Sequence, residues 1–162
     1  ALANADKPLV AAVAGPPVGI GTTLLLHCDF VYATAEARLQ MPFVALGLVP
    51  EAGSSLLLPR AVGHLRAAEL LMLGRAVDGR RAFELGLVTA VVPQDELLAT
   101  AGANTHQASV PSGMAISEKL PVGAAPRPTV SRMVPGCATR TCSRRIPSAG
   151  STAEYQVLEW RS

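Results

Sequence analysis

The stretch KPLVAAVAGPPVGIGTTLLLHCDFVYA, Lys7 to Ala33, decides the fold class. Leu9–Ala14 is an apolar run rich in Val and Ala, bounded by Pro8 and Gly15, and it reads as a buried strand. Gly15-Pro16-Pro17-Val18-Gly19 follows as a turn, since neither proline can donate to a ladder. Gly19 to His27 has helical character, and Phe30–Ala33 returns as a strand. Strand, glycine turn, helix and strand in that order make an α/β arrangement. The glycine turn feeding a helix also supplies backbone N–H donors for an anion.

Further along, Leu39-Gln40-Met41 forms a possible edge strand before Pro42, and a loop then carries one acidic residue, Glu51, between Pro50 and Gly53. The pattern predicts helices over Ser54–Val62 and His64–Leu73, with Pro59 limiting the first and Gly63 and Gly74 punctuating the second. In the second helix Leu65, Ala68, Leu71 and Met72 share one face. Asp78 is placed to cap a helix through Glu84, with Gly86 just beyond it, and Leu87–Val92 reads as a strand. Pro93 opens a last short helix near Asp95–Thr100.

At 162 residues and a hydrophobic fraction of 49%, the chain is about one domain, and with aromatics at 4% its core rests on Leu, Val and Ala. No apolar run is long enough to span a bilayer, and the N-terminus lacks the basic region and apolar stretch of a signal peptide. A soluble protein in the cytoplasm is expected, with no membrane or nucleic-acid partner. Cys28, Cys137 and Cys142 give an odd count without metal spacing, which argues against both a disulfide framework and a zinc site.

The character changes after about Ala101. Residues 1–100 hold seven Lys/Arg and nine Asp/Glu, whereas 101–162 hold seven and three, so the basic excess belongs to the tail. Residues 102–150 contain six prolines and no sustained period, too little to offset the entropy of ordering. The expected division is a folded core over 1–101 and a disordered tail over 102–162. The tail's Arg-, Pro-, Ala- and Ser-rich composition is what a GC-rich gene gives when read in a shifted frame.

Gly15-x3-Gly19-x-Gly21 between strand and helix resembles the cofactor turn of short-chain NAD(P)-dependent dehydrogenases. That family needs a Tyr with Lys four residues on, whereas here Tyr32 is followed by Glu36 and Tyr155 by Glu159. A wider match exists. Lys7 to Gly15, Val18-Gly19-Ile20-Gly21, Cys28-Asp29, Gln40-Met41-Pro42-Phe43, Leu46 to Gly53 and Gly86-Leu87-Val88 resemble, in order and spacing, the crotonase family of enoyl-CoA hydratases and isomerases. The resemblance runs from about Lys7 to Leu98 and is closest to the Δ3,Δ2-enoyl-CoA isomerase branch.

This resemblance implies a partial crotonase-like ββα spiral that assembles into trimers or hexamers and acts on acyl-CoA thioesters, as in fatty-acid oxidation. It implies no cofactor, coenzyme A being part of the substrate, and no metal. The family stabilises a thioester enolate with two backbone N–H groups, one of which falls here on Ile20. Hydratases use two glutamates, at positions matched here by Thr23 and Phe43, neither of which can act as a base. Glu51 instead occupies the place of the isomerases' single catalytic glutamate. Gly19, Phe43 and Leu46 would contact substrate, with Phe43, Leu46 and Leu48 as apolar neighbours of Glu51. The resemblance puts the family's first third, with the second N–H donor and much of the coenzyme A pocket, ahead of Lys7. A non-catalytic fragment or oligomer-forming subunit is the alternative.

His27-Cys28-Asp29 looks like a nucleophile cluster, but adjacent residues diverge on a helix or a strand, which favours a structural role. Ser54 and Ser55 are placed to cap the helix that begins there, and His64 to lie at the surface.

Overall fold

The computed structural model describes residues 8–107, 139–142 and 156–160. The first strand, β1 (Leu9–Val13), is followed by the glycine turn, a short helix α1 (Ile20–Thr23) and a 3₁₀ turn over Leu24–His27 that continues it directly. Next come β2 (Phe30–Ala33), β3 (Arg38–Leu39), a 3₁₀ turn over Val44–Leu46, and helices α2 (Ser54–Val62) and α3 (His64–Leu73). The chain goes on through β4 (Val77–Asp78), α4 (Gly79–Glu84), β5 (Ala90–Val91) and α5 (Leu97–Gln107). Two further strands are β6 (Thr139–Cys142) and β7 (Gln156–Trp160).

The main sheet has the order β5-β2-β1-β7-β6. β1 runs parallel to β2 with Val10 opposite Phe30 and Val13 opposite Ala33, and β2 runs parallel to β5. A parallel sheet covered on both faces needs strands apolar on both sides, which is why β1 is a continuous run rather than an alternation. Ala11, Val13, Val31 and Ala33 face one cluster with Leu25, Leu39, Ala82 and Val88. Val10, Ala12 and Tyr32 face the opposite one, beneath Leu97 and Ala101 of α5. Asp29 ties β2 to the start of β1: its carboxylate accepts from Leu9 N–H at 2.8 Å, and its own N–H donates to Leu9 O at 2.9 Å.

A second cluster lies under the helix pair, where Met41, Phe43 and Leu58 meet Ala67, Leu70 and Leu71 of α3. The buried face of α3 is therefore Ala67-Leu70-Leu71. The expected face shares only Leu71 with it: Leu65 is 82% exposed and Met72 also projects outward. The same residues can be divided into an apolar stripe in two ways, and the direction of Met41 and Phe43 selects between them.

The structure differs from the expected organisation at the end of the core. α5 continues through Gln107 rather than stopping near Thr100, and β7 pairs in parallel with β1, Leu9 opposite Gln156 and Val13 opposite Trp160. β6 then pairs antiparallel with β7. The two strands are short segments whose pairing is entirely non-local, so no local period announces them. The rest of the expected tail, 108–138, 143–155 and 161–162, lies outside the described residues.

Candidate active site

The glycine turn is held from beneath. Gly19 N–H donates to Gln40 O at 2.9 Å, and Gln40 N–H donates to Pro17 O at 3.1 Å, so the turn pairs with the segment after β3. The Thr22 hydroxyl, buried, donates to Pro17 O at 2.6 Å and lies 3.2 Å from Gln40 N. The Gln40 side chain donates onward to Gly74 O at 2.9 Å. Thr22 and Gln40 thus fix the turn's shape, a role that residue type alone does not reveal because both look like ordinary polar residues.

Gly19 sits at φ 59 and ψ −119, a backbone conformation open to glycine and strained for any other residue. With it in place, Gly21 N–H donates to Val18 O, and Thr22 and Thr23 N–H both donate to Gly19 O. The Ile20 N–H is left over as the first of α1, with no acceptor among the described residues. It stands where the orphan donors of a helix start are found.

Glu51 comes to this turn from the far side. A β-carbon placed on Gly19 would lie 4.0 Å from Glu51 Oε1, so the exposed carboxylate stands against the turn that presents Ile20 N–H. Behind Glu51 the chain reverses through two consecutive left-handed residues, Ala52 at φ 53 and Gly53 at φ 68. Holding an alanine there costs on the order of 1 kcal/mol. Ser54 does not cap α2. Gly53 occupies the cap position, while Ser54 is the first helical residue and donates from both N–H and Oγ to Glu51 O, at 3.0 and 2.7 Å. His27 has the structural role expected of it, its Nε2 standing 2.7 Å from Ala52 O.

The remaining expected site residues divide. Leu46, 64% exposed, lies in an exposed apolar strip with Val44, Leu48 and Val49 that leads along the chain to Glu51. Phe43, at 2% exposure, packs with Met41, Leu58, Leu70 and Leu71 in the core. Thr23 is fully buried, its hydroxyl directed at Ile20 O at 3.3 Å.

Residues 1–116 match the family model described as enoyl-CoA hydratase/isomerase. The chain belongs to the enoyl-CoA hydratase/isomerase family. It is 42% identical over 122 residues to a Rhizobium meliloti (strain 1021) protein named "Probable enoyl-CoA hydratase", covering 74% of this chain and 48% of that protein. It is 43% identical over 116 residues to Enoyl-CoA delta isomerase 2 of Rattus norvegicus, covering 70% of this chain and 30% of that one. Among solved structures, the enoyl-CoA hydratase/isomerase from Pseudoalteromonas atlantica T6c superposes with a TM-score of 0.64 at 48% identity, covering 68% of this chain and 45% of that one. The chain thus spans less than half the length of these family members. The fold is a partial crotonase-like one, and the family match, rather than the glycine turn, separates it from dinucleotide-binding enzymes.

Proposed function

We propose that these residues form the proton-transfer half of an enoyl-CoA isomerase site acting on acyl-CoA thioesters. The observation that carries this reading is the Glu51 carboxylate set against the Gly19 turn, beside the uncommitted Ile20 N–H. Glu51 removes a proton from C2 of a 3-enoyl thioester, and the electron pair moves into the thioester to form a dienolate. The protonated carboxyl then returns the proton to C4, leaving the double bond between C2 and C3. One carboxylate serves both transfers, and no water is consumed. Ile20 N–H donates to the enolate oxygen, where the developing negative charge makes a preorganised donor most useful. Gly19 and the exposed Leu46 border the acyl chain. Thr23 and Phe43 are fully or almost fully buried and carry no carboxylate, which disfavours activation of a water molecule and hence hydration.

The test is to supply 3-enoyl-CoA and 2-enoyl-CoA separately to the chain, and to a chimera in which a relative provides the segment ahead of Lys7. Isomerisation of the first without comparable hydration of the second is expected. Hydration at a rate rivalling isomerisation refutes the single-glutamate reading.

A second reading, a non-catalytic fragment that contributes an oligomer interface, draws on the exposed apolar side chains Leu65, Met72 and Leu73 of α3. A chain that assembles but converts neither thioester, alone or as the chimera, supports it.

A further inference from the structure

The turn that carries Glu51 is held locally and at long range. Locally, Ser54 bonds Glu51 O, and the N–H groups of Leu56 and Leu57 donate to Gly53 O at 3.0 and 2.9 Å. The long-range tie comes from His27, 25 residues away in sequence, at 2.7 Å from Ala52 O. A carbonyl oxygen only accepts, so His27 Nε2 carries the hydrogen. Ala52 is the one non-glycine residue with positive φ among the described residues, and its carbonyl is the group His27 holds. An alanine in that conformation relaxes toward negative φ unless its peptide is restrained, and relaxation would swing the adjoining Glu51 away.

His27 also stands at a particular place in the fold. It ends the continuous segment of α1 and its 3₁₀ extension, whose first residue is Ile20. One end of this segment presents the free N–H beside the Gly19 turn, and the other grips the peptide next to Glu51. We propose that His27 is a positioning residue for Glu51, fixing the carboxylate against the glycine turn through the Ala52 carbonyl. Donor and carboxylate are thereby referred to a single rigid segment. His27 does not touch substrate, and the inference rests on the reading of Glu51 as the base.

The experiment compares His27→Leu, which keeps apolar bulk, with His27→Gln, whose side-chain amide retains a donor at a similar reach. In the chain as it exists, amide hydrogen exchange at Ser54 reports the turn, and that at Val10–Val13 reports the sheet. His27→Leu is expected to speed exchange at Ser54 by about tenfold or more with the sheet unchanged, and His27→Gln to stay within about threefold of the parent. In the isomerisation assay, His27→Leu lowers kcat by about tenfold or more at nearly constant KM, and His27→Gln restores it. Unchanged exchange at Ser54 in His27→Leu, equal loosening of the sheet, or a His27→Gln protein no better than His27→Leu overturns the proposal. If Glu51→Gln retains full turnover while His27→Leu still loosens Ser54, it is the reading of Glu51 that falls. If Glu51→Gln is inactive and His27→Leu is unaffected in exchange, only the positioning role falls.

Discussion

Glu51 reaches Gly19 across 32 residues of sequence: its Oε1 lies 4.0 Å from where a Gly19 β-carbon would stand. That approach joins two segments with separate supports. Gln40 and Thr22 fix the glycine turn, while His27 and Ser54 fix the turn after Glu51. The Glu51 carboxylate therefore stands beside the turn that presents the Ile20 N–H, and the backbone on each side is tied by its own set of hydrogen bonds.

Gly19→Ala tests the first support. The space at Gly19 admits a methyl group, but φ 59 with ψ −119 does not suit an L side chain. The cost is expected to be roughly 1–3 kcal/mol, read by thermal or denaturant unfolding. A fully stable Gly19→Ala protein would show that the turn adopts another conformation.

Glu51→Gln tests the chemistry. It removes the proposed base while preserving side-chain size, so turnover in the isomerisation assay is expected to fall by roughly 10²–10⁴, with acyl-CoA affinity little changed. Thr23→Ala should leave turnover within a few-fold and cost about 1 kcal/mol of stability, since it removes a buried methyl and a weak hydrogen bond. Full activity in Glu51→Gln refutes the proposed mechanism.

The joint between β4 and α4 offers a paired test of stability away from the site. Asp78 Oδ1 accepts from Arg81 N–H at 2.7 Å, a helix cap whose loss in Asp78→Ala should cost about 1 kcal/mol. At the next residue, a β-carbon on Gly79 would overlap the Thr34 carbonyl oxygen. The obstruction is backbone, not the end of a pliable side chain, so Gly79→Ala should cost about 3 kcal/mol or more. Urea unfolding ranks the two, and an Asp78→Ala protein less stable than Gly79→Ala contradicts the packing described.

Much of this fold was legible in the sequence where punctuation is local. Gly63 and Gly74 bracket α3 as expected, and Asp78 caps α4. The turn and Glu51 were legible through the order of several short motifs, since neither glycine spacing nor one acidic residue identifies a site. What escaped depends on direction and distance. Leu65 and Met72 are as apolar as Leu70, and only the position of the Met41–Phe43 cluster shows which side of α3 is inside. Thr22, Gln40 and the partner of His27 escaped because their bonds join residues 18 to 34 positions apart or turn on a backbone carbonyl. β6 and β7 escaped because their pairing partners lie far away in sequence.

Phe43 gives the sharpest discrimination between core and site. Its side chain is 2% exposed and packs with Met41, Leu58, Leu70 and Leu71. Removing a buried phenyl ring costs roughly 3–5 kcal/mol. Placing a carboxylate in the same apolar cluster adds the cost of desolvating it or of keeping it protonated. Against a total stability of about 5–15 kcal/mol for an ordinary domain, Phe43→Glu should abolish most of the folded population. Phe43→Leu retains apolar packing and should cost about 1–2 kcal/mol. Leu46→Glu, at a side chain 64% exposed, should change stability by no more than about 0.5 kcal/mol. Far-UV circular dichroism melts of the three variants separate these outcomes. A Phe43→Glu protein that stays folded would place residue 43 at the surface rather than in the core.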